Sequence, residues 1–476
     1  MPSLKSFQVQ FDRPNAAYMA GEQVSGKIIV NVSRDTNVRR LYFSARGGAN
    51  VCWSQSQSRK DANGQVRTVH SNFTNSEEYL HLQYNIAVQQ CTGRERPDSL
   101  VRITSGYHEY PFTFQLPHSI PSSFEHYYGH IRYTVKAMMD RPWKFNHECK
   151  TAFTVISPLD LNEYRARCLG IQDEVVENFC CLCVINQGSI RAEITMPFTG
   201  YVPGQSINTI LDYKNSSSSV EISKVTTKLA KKIDFYANSP YSKTQTSNAV
   251  LKSTSDSGPF SARGRVVSNI LVPPIPPSHL KYCSIINLEY QVIVTVHVSG
   301  PHCKIEKSYP LLIGTVPLYC PPSAPPMEDA NVVPVPSVVR QNTPVIITVP
   351  LPMTVSPEQF NAPYPQTGAQ NRHMGFVHPD QPSTSAVNLE IPPPSYEECM
   401  SGTEHIKESN DSSYVFGANR PFAPRYPVFN YPTQSKNTNL LRDHLILAVR
   451  AHGQFLTKSL FPQIYATNER EVAGRW

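Results

Sequence analysis

From residue 5 to about 158, and again from about 179 to 318, the chain is a succession of short runs in which apolar and polar positions alternate. Val24, Ile28 and Val30 fall on one face of such a run, with Lys27 and Asn31 on the other and Ile29 intruding on the polar side. A period of two marks a strand that buries one face. Val38, Leu41, Phe43 and Ala45 form the next run, which ends at Gly47-Gly48. Tyr110 to Leu116, Ile131 to Met139 and Ala152 to Ile156 follow, each bounded by Pro, Gly, Asp or Asn. Many short strands with turn residues between them and almost no helical period predict an all-β chain built of β-sandwiches.

The second unit repeats features of the first. Tyr18-Met19-Ala20-Gly21-Glu22 leads into the strand through Ile28, and Tyr201-Val202-Pro203-Gly204-Gln205 leads into one through Leu211. In both, a glycine permits a tight turn and a polar residue follows it. Tyr133 sits within Ile131 to Ala137 as Tyr290 sits within Ile286 to Val294, and each unit closes on an apolar strand, Phe153 to Ile156 and Tyr309 to Ile313. The economical reading is a duplicated sandwich, 5–158 and 179–318, joined by a charged connector over 159–178.

Beyond Pro317 the pattern breaks. Eighteen of the 84 residues from Pro317 to Met400 are proline, more than a sheet absorbs, because proline has no ladder donor. Residues 319–438 therefore read as a disordered or extended polyproline tail. A short apolar stretch, Leu440 to Phe461, follows within a C-terminal extension over 439–476. Leu441, Leu445 and Ala448 would share a helical face, but Ile446, Leu447 and Val449 lie off it.

Composition narrows the function. The net charge of +7, from 44 Lys plus Arg against 37 Asp plus Glu, is mild for this length. It favours an anionic membrane face weakly and gives no footprint for nucleic acid. The N-terminus lacks the apolar core of a signal peptide, and no stretch reaches the length of a membrane span. Synthesis in the cytosol is expected. Eleven cysteines, an odd number at irregular spacing, then read as reduced and mostly buried thiols.

The sharpest local motif is Pro393-Pro394-Ser395-Tyr396. Consecutive prolines pre-form the left-handed extended helix, so docking orders little backbone. An aromatic groove takes the rings and the tyrosine supplies a second anchor. This is the PPxY pattern of WW-domain ligands. Ala423-Pro424-Arg425-Tyr426 is a weaker second candidate, with Pro424 and Tyr426 as its anchors and alanine in place of the first proline. Pro322-Ser323-Ala324-Pro325 matches the late-domain pattern read by the endosomal sorting machinery, and Tyr426-Pro427-Val428-Phe429 formally matches a clathrin-adaptor signal. No nucleophile elbow, phosphate loop or His-Glu-x-x-His is present. Cys180-Cys181-Leu182-Cys183 has the wrong spacing for a zinc knuckle, so neither metal nor cofactor is expected.

Taken together, Ala20 to Gly26, Ile131 to Ala137 with Arg141-Pro142-Trp143-Lys144, Phe153 to Ile156, Thr199 to Gln205 and Ile305 to Gly314 resemble an arrestin domain-containing protein of the α-arrestin family. The resemblance implies two arrestin-type, immunoglobulin-like β-sandwich domains ahead of the proline-rich tail. It also implies a non-enzymatic trafficking adaptor that links membrane receptors or transporters, as cargo, to WW-domain HECT-type ubiquitin ligases. Recruitment from the cytoplasm to plasma membrane and endosomes, peripheral membrane association, and contact with the late endosomal sorting complex would go with it. The alanine at 423 departs from a pair of good PPxY motifs and puts a bivalent grip in doubt. A retromer-like scaffold that does not recruit a ligase is the alternative. A thioredoxin-binding relative would need a reactive cysteine, with Cys168, Cys180 and Cys283 as candidates.

Overall fold

The computed structural model of the chain describes residues 4–60, 66–86, 100–181, 185–319, 389–390, 402–408, 411–412 and 415–429. Residues 4–318 and the described part of 389–429 belong to one compact unit.

The first domain holds eleven described strands: β1 (Leu4–Phe11), β2 (Ala17–Met19), β3 (Gln23–Val32), β4 (Thr36–Val38), β5 (Arg40–Lys60), β6 (Val66–Asn85), β7 (Val101–Ile103), β8 (Gly106–Gln115), β9 (Phe124–His126), β10 (Gly129–Asp140) and β11 (His147–Ile156). One sheet has the order β1-β3-β8 and another β2-β11-β10-β5-β6, with β9 alongside β10. Their inner faces meet through aromatic rings. Phe43 of β5 lies 4.8 Å from Phe112 of β8, and Phe11 of β1 lies 5.5 Å from Phe153 of β11. Ile28, Phe43, Tyr133 and Phe153 are fully buried, and burying a side chain of this size contributes roughly 2–3 kcal/mol.

The glycine pair at 47–48 does not end a strand as the pattern predicts. β5 runs straight through it, and a bulge in the pairing with β6 falls there. The reason is room, since a Cβ on Gly47 would run into the ring of Tyr133.

The second domain comprises β12 (Leu169–Cys181), β13 (Ile185–Phe198), β14 (Gly200–Tyr201), β15 (Ser206–Asn215), β16 (Ile222–Ala237), β17 (Lys243–Ser257), β18 (Arg263–Leu271), β19 (Ile286–Val298) and β20 (Ile305–Ile313). Sheets β12-β13-β15-β18 and β14-β20-β19-β16-β17 result. The second half of the predicted connector is therefore strand: β12 begins at Leu169, about ten residues before the expected boundary. It is an edge strand whose residues from Leu169 to Asn178 are exposed or half-buried, so its composition imitates a linker. Only the short run to the 3-10 turn Arg165–Cys168 connects the domains.

The two domains are built on one frame. Tyr133 and Tyr290 are both fully buried, and each hydroxyl donates to a proline carbonyl upstream, Pro121 at 2.7 Å and Pro276 at 2.8 Å. Ser122 Oγ accepts the N–H of Ser157, and Ser278 Oγ accepts that of Ile313. At the two glycine turns, φ is +84° at Gly21 and +92° at Gly204, where glycine costs least. Glu22 Oε2 accepts from the Met19 N–H at 2.8 Å, and Gln205 Oε1 from the Val202 N–H at 2.9 Å.

The largest difference from the sequence reading lies in the tail. Within 319–438, read as unpacked, residues 402–408, 411–412 and 415–429 fold back on the domains, with Ile406, Val415, Ala418, Tyr426 and Phe429 buried. Short strands β21 (Leu389–Glu390), β22 (Val415–Phe416) and β23 (Val428–Phe429) belong to this return. The stretch has enough apolar side chains to seal a seam, although their irregular spacing fits no regular element.

Candidate functional site

The seat of the returning tail is the edge of β11. β10 and β11 pair with Lys136 opposite Lys150, and like charges placed so destabilise a sheet unless acids lie among them. Glu148 stands 2.7 Å from Lys136, and Asp411 of the tail gives one oxygen to Lys136 at 3.1 Å and the other to Lys150 at 2.9 Å. Glu408 reaches Lys150 at 3.1 Å. The side chains of Lys150 and Asp411 are only 2% and 4% exposed, so these charges act in a poorly screened setting.

Burial alone would raise the Asp411 carboxyl. The Glu408 N–H at 2.9 Å and the ammonium groups of Lys150 and Lys136 outweigh it and hold the carboxyl below its ordinary range. Burial likewise works against the charge of Lys136, but its bonds to Glu148 and Asp411 prevail and raise it.

Backbone pairing continues the contact. β22 lies parallel to β11, with Val415 opposite Glu148 and Phe416 opposite Cys149. β2 covers the far half of the same edge, also in parallel, at Thr154 to Ile156. An edge that would otherwise offer bare N–H and C=O groups is thereby closed. The strap also grips itself: Thr403 and Phe422 exchange backbone hydrogen bonds of 2.8 and 2.9 Å, and the Ile406 N–H donates to Ala418. Between β1 and the strap lies a cleft of about 320 Å³, lined by Phe7, Val9, Cys149, Lys150, Phe416 and Arg420. The strap forms one wall of it.

Farther on, the Arg425 N–H donates to Thr154 Oγ1 at 3.1 Å and the Tyr426 hydroxyl donates to the Ser123 carbonyl at 2.9 Å. The Phe429 N–H donates to the Pro203 carbonyl at 3.0 Å. Its ring joins Leu159, Leu161, Cys168, Val202 and Leu312 in a small second core. β23 then pairs with β21, Glu390 opposite Val428 and Leu389 opposite Phe429.

These contacts decide where the motif residues stand. Pro424 is buried and Tyr426 is 6% exposed, so the weaker WW candidate and the overlapping Tyr426 to Phe429 string are built into the seam. Pro393, Pro394 and Tyr396, and the string Pro322, Ser323, Ala324 and Pro325, lie outside the described residues. The site residues that sequence reading passed over are Lys136, Lys150 and Asp411. A signal was present: Lys136 falls at a position of β10 that, counted from Tyr133, matches Ile293 counted from Tyr290.

The first domain also contains an ion pair that periodicity hides. Arg132 donates to both carboxylate oxygens of Glu125 at 2.7 Å, with side chains 6% and 3% exposed. Burial raises the Glu125 carboxyl against the opposing pull of Arg132.

Of the five described free cysteines, Cys149 and Cys168 are buried, Cys283 is half-buried, and Cys52 and Cys303 are exposed. The expectation of buried thiols therefore does not extend to Cys52 and Cys303. Burial pushes the thiols of Cys168 and Cys283 up, which disfavours a reactive thiolate at either. Among the described residues no group of three or more His, Cys, Asp or Glu is arranged to hold a metal, and no helix is long and apolar enough to cross a membrane.

Residues 7–162 match the family "Arrestin (or S-antigen), N-terminal domain" and residues 186–318 match "Arrestin (or S-antigen), C-terminal domain". Similar proteins include Arrestin domain-containing protein 17 of Caenorhabditis elegans, 28% identical over 331 residues, 67% of this chain and 72% of that one. Thioredoxin-interacting protein of Mus musculus is 30% identical over 320 residues, 66% of this chain and 74% of the relative. Arrestin domain-containing protein 4 of Homo sapiens is 28% identical over 325 residues, 66% and 72% of the two chains. The duplicated frame and these matches together place the chain among the arrestin-domain proteins of the α-arrestin family, which are non-catalytic adaptors.

Proposed function

We propose that this adaptor joins membrane cargo to WW-domain HECT-type ubiquitin ligases through Pro393, Pro394 and Tyr396, so that ligation on nearby cargo lysines becomes effectively intramolecular. The supporting observation is the burial of the weaker tyrosine motif. Tyr426 has its ring packed and its hydroxyl bonded to Ser123, whereas Tyr396 lies outside the described residues. Glu390, three residues before Pro393, is held against Val428. The strap thus tethers the chain beside the principal motif to the folded unit and withholds the second.

Cargo brought this way is internalised or sorted at endosomes, with the adaptor recruited there and to the plasma membrane from the cytoplasm. Pro322 to Pro325 serves as an added contact for the late sorting complex. A pull-down of the full chain by a WW domain tests the core of the reading. Tyr396→Ala should remove most of the capture, and Tyr426→Ala should leave it intact. Equal capture of wild type and Tyr396→Ala would overturn the assignment of the main site, and capture of neither would favour a scaffold that recruits no ligase.

A further inference from the structure

The turn between β10 and β11 is six residues, Arg141-Pro142-Trp143-Lys144-Phe145-Asn146. At its tip Trp143 is 97% exposed and Phe145 82% exposed. An apolar residue alone on a surface needs no explanation, but two large, mostly exposed side chains on one turn do. Trp143 moreover has φ of +57°, a left-handed conformation that disfavours a bulky L residue. Strain of this kind persists where the surroundings over-determine it.

The surroundings here do so. The Arg141 N–H donates to Asn146 Oδ1 at 3.3 Å, and Arg141 Nε donates to the Phe145 carbonyl at 3.0 Å, with a second guanidinium nitrogen on the same oxygen. Pro142 fixes its own φ. The turn is closed from within, and what it holds out is the indole.

Four cations lie on the turn or beside its base. Arg141 and Lys144 belong to the turn, and Arg39 and Arg40 stand at the start of β5, where Arg40 is opposite Asp140 in the ladder and the Arg39 N–H donates to the Asp140 carbonyl. Asp140 is the one acid among them, with Arg39 4.0 Å from its carboxylate. At the base of the turn the strap adds a third ring: Phe416, 52% exposed, lies 6.4 Å from the ring of His147.

We propose that the 141–146 turn is a docking loop for an anionic lipid surface, with Trp143 and Phe145 entering the headgroup region and Arg141, Lys144, Arg39 and Arg40 meeting lipid phosphates and carboxylates. The indole is amphipathic and settles at that interface. Clustered Lys and Arg are drawn to acidic lipid within a Debye length. A closed turn with an aromatic tip and cations on and beside it fits a deformable charged surface, and charge complementarity names its sign. This deepens the membrane half of the function proposed above and is independent of the WW contact.

The test is sedimentation of the full chain with vesicles of phosphatidylcholine alone or with about a third phosphatidylserine. Binding should appear only on the mixed vesicles and fall as salt rises. Trp143→Ala with Phe145→Ala should weaken it about tenfold or more with little change in the unfolding midpoint, because both side chains are largely exposed. Lys144→Glu should weaken it severalfold, and Tyr396→Ala should leave it unchanged, which separates failure of this inference from failure of the ligase reading. Brominated acyl chains should quench tryptophan fluorescence in the wild type, and Trp143→Phe should abolish that quenching while binding persists. Equal binding to neutral vesicles, or full binding by the double variant, would overturn the proposal. So would absence of vesicle binding together with photo-crosslinking from position 143 to a protein, which would make the turn a protein contact.

Discussion

The two domains share a frame and differ where the tail lands. Counted from Tyr133, β10 and β11 place Lys136 opposite Lys150; counted from Tyr290, β19 and β20 place Ile293 opposite Ser308 at the same step. Around the lysines the second domain's pattern is otherwise kept, down to the tyrosine-to-proline bond and the acceptor that follows each turn glycine. Residues common to both domains therefore fix the fold, and residues that depart from the repeat give the tail its address. Two ammonium groups on one strand pair require acids, and Asp411 and Glu408 bring them from the far end of the chain. The second domain lacks the charge at that step and shows no described strap there.

The strongest way to break this comparison is to remove the shared anchor from each side in turn. Tyr133→Ala and Tyr290→Ala each leave a cavity and an unpaired proline carbonyl in a closed core, at a cost of roughly 4 kcal/mol. Urea unfolding followed separately for the two domains should show comparable losses, each confined at first to its own domain. A near-silent substitution on one side would mean that the frame is a coincidence of sequence and not a shared support.

Removing the charge that differs should have a smaller and one-sided effect. Asp411→Asn strips Lys136 and Lys150 of their common partner in a nearly dry seam, a loss of about 2 kcal/mol of strap docking, or roughly thirtyfold faster opening. Hydrogen exchange over the start of β11, residues 147–150, should accelerate, while β20 should not respond. The pH dependence has a defined sign. The Asp411 carboxyl is lowered in the docked state, so its contribution is present above its free value near 4 and is lost only as pH falls through the lower docked value. The Lys136 ammonium is raised, so its share is present below about 10.5 and lost as pH rises beyond that. Docking should be flat between pH 5 and 8, and release within that window would show that another group governs the seam.

Sequence patterning revealed the frame because its elements are local. Alternation marked β3, β10, β19 and the closing strands, and the Gly21 and Gly204 turns announced themselves within five residues. What it missed is non-local or disguised. β12 is an exposed edge strand with a connector's composition. Gly47 looked like a terminator because its actual reason, the ring of Tyr133, lies 86 residues on in the sequence. The strap is held by pairs separated by up to 303 residues, and no window that slides along the chain sees Asp411 beside Lys136. Its buried residues follow the surface beneath them and not a period of their own. The PPxY string was legible as four residues, but the burial of its weaker companion at Tyr426 was not, because identical chemistry serves a groove on a partner or a groove on the same chain.

The finest test converts one domain's turn into the other's. Glu22 and Gln205 perform the same backbone task, yet Glu22 also meets Arg13 at 2.7 Å, in a pair about a third exposed. Glu22→Gln keeps an oxygen for the Met19 N–H and discards the charge, which is the arrangement already present at Gln205 and Val202. A partly exposed pair of this kind contributes about 0.5 kcal/mol, so the first domain should lose no more than that, and less as salt is added. Glu22→Ala leaves the Met19 N–H without its acceptor and should cost about 1 kcal/mol, matched by Gln205→Ala in the second domain. Equal losses from the two alanine variants, set against a near-neutral Glu22→Gln, would assign the turn's stability to the acceptor both domains share; a Glu22→Gln loss as large as that of Glu22→Ala would instead make the Arg13 charge the first domain's own addition to the repeat.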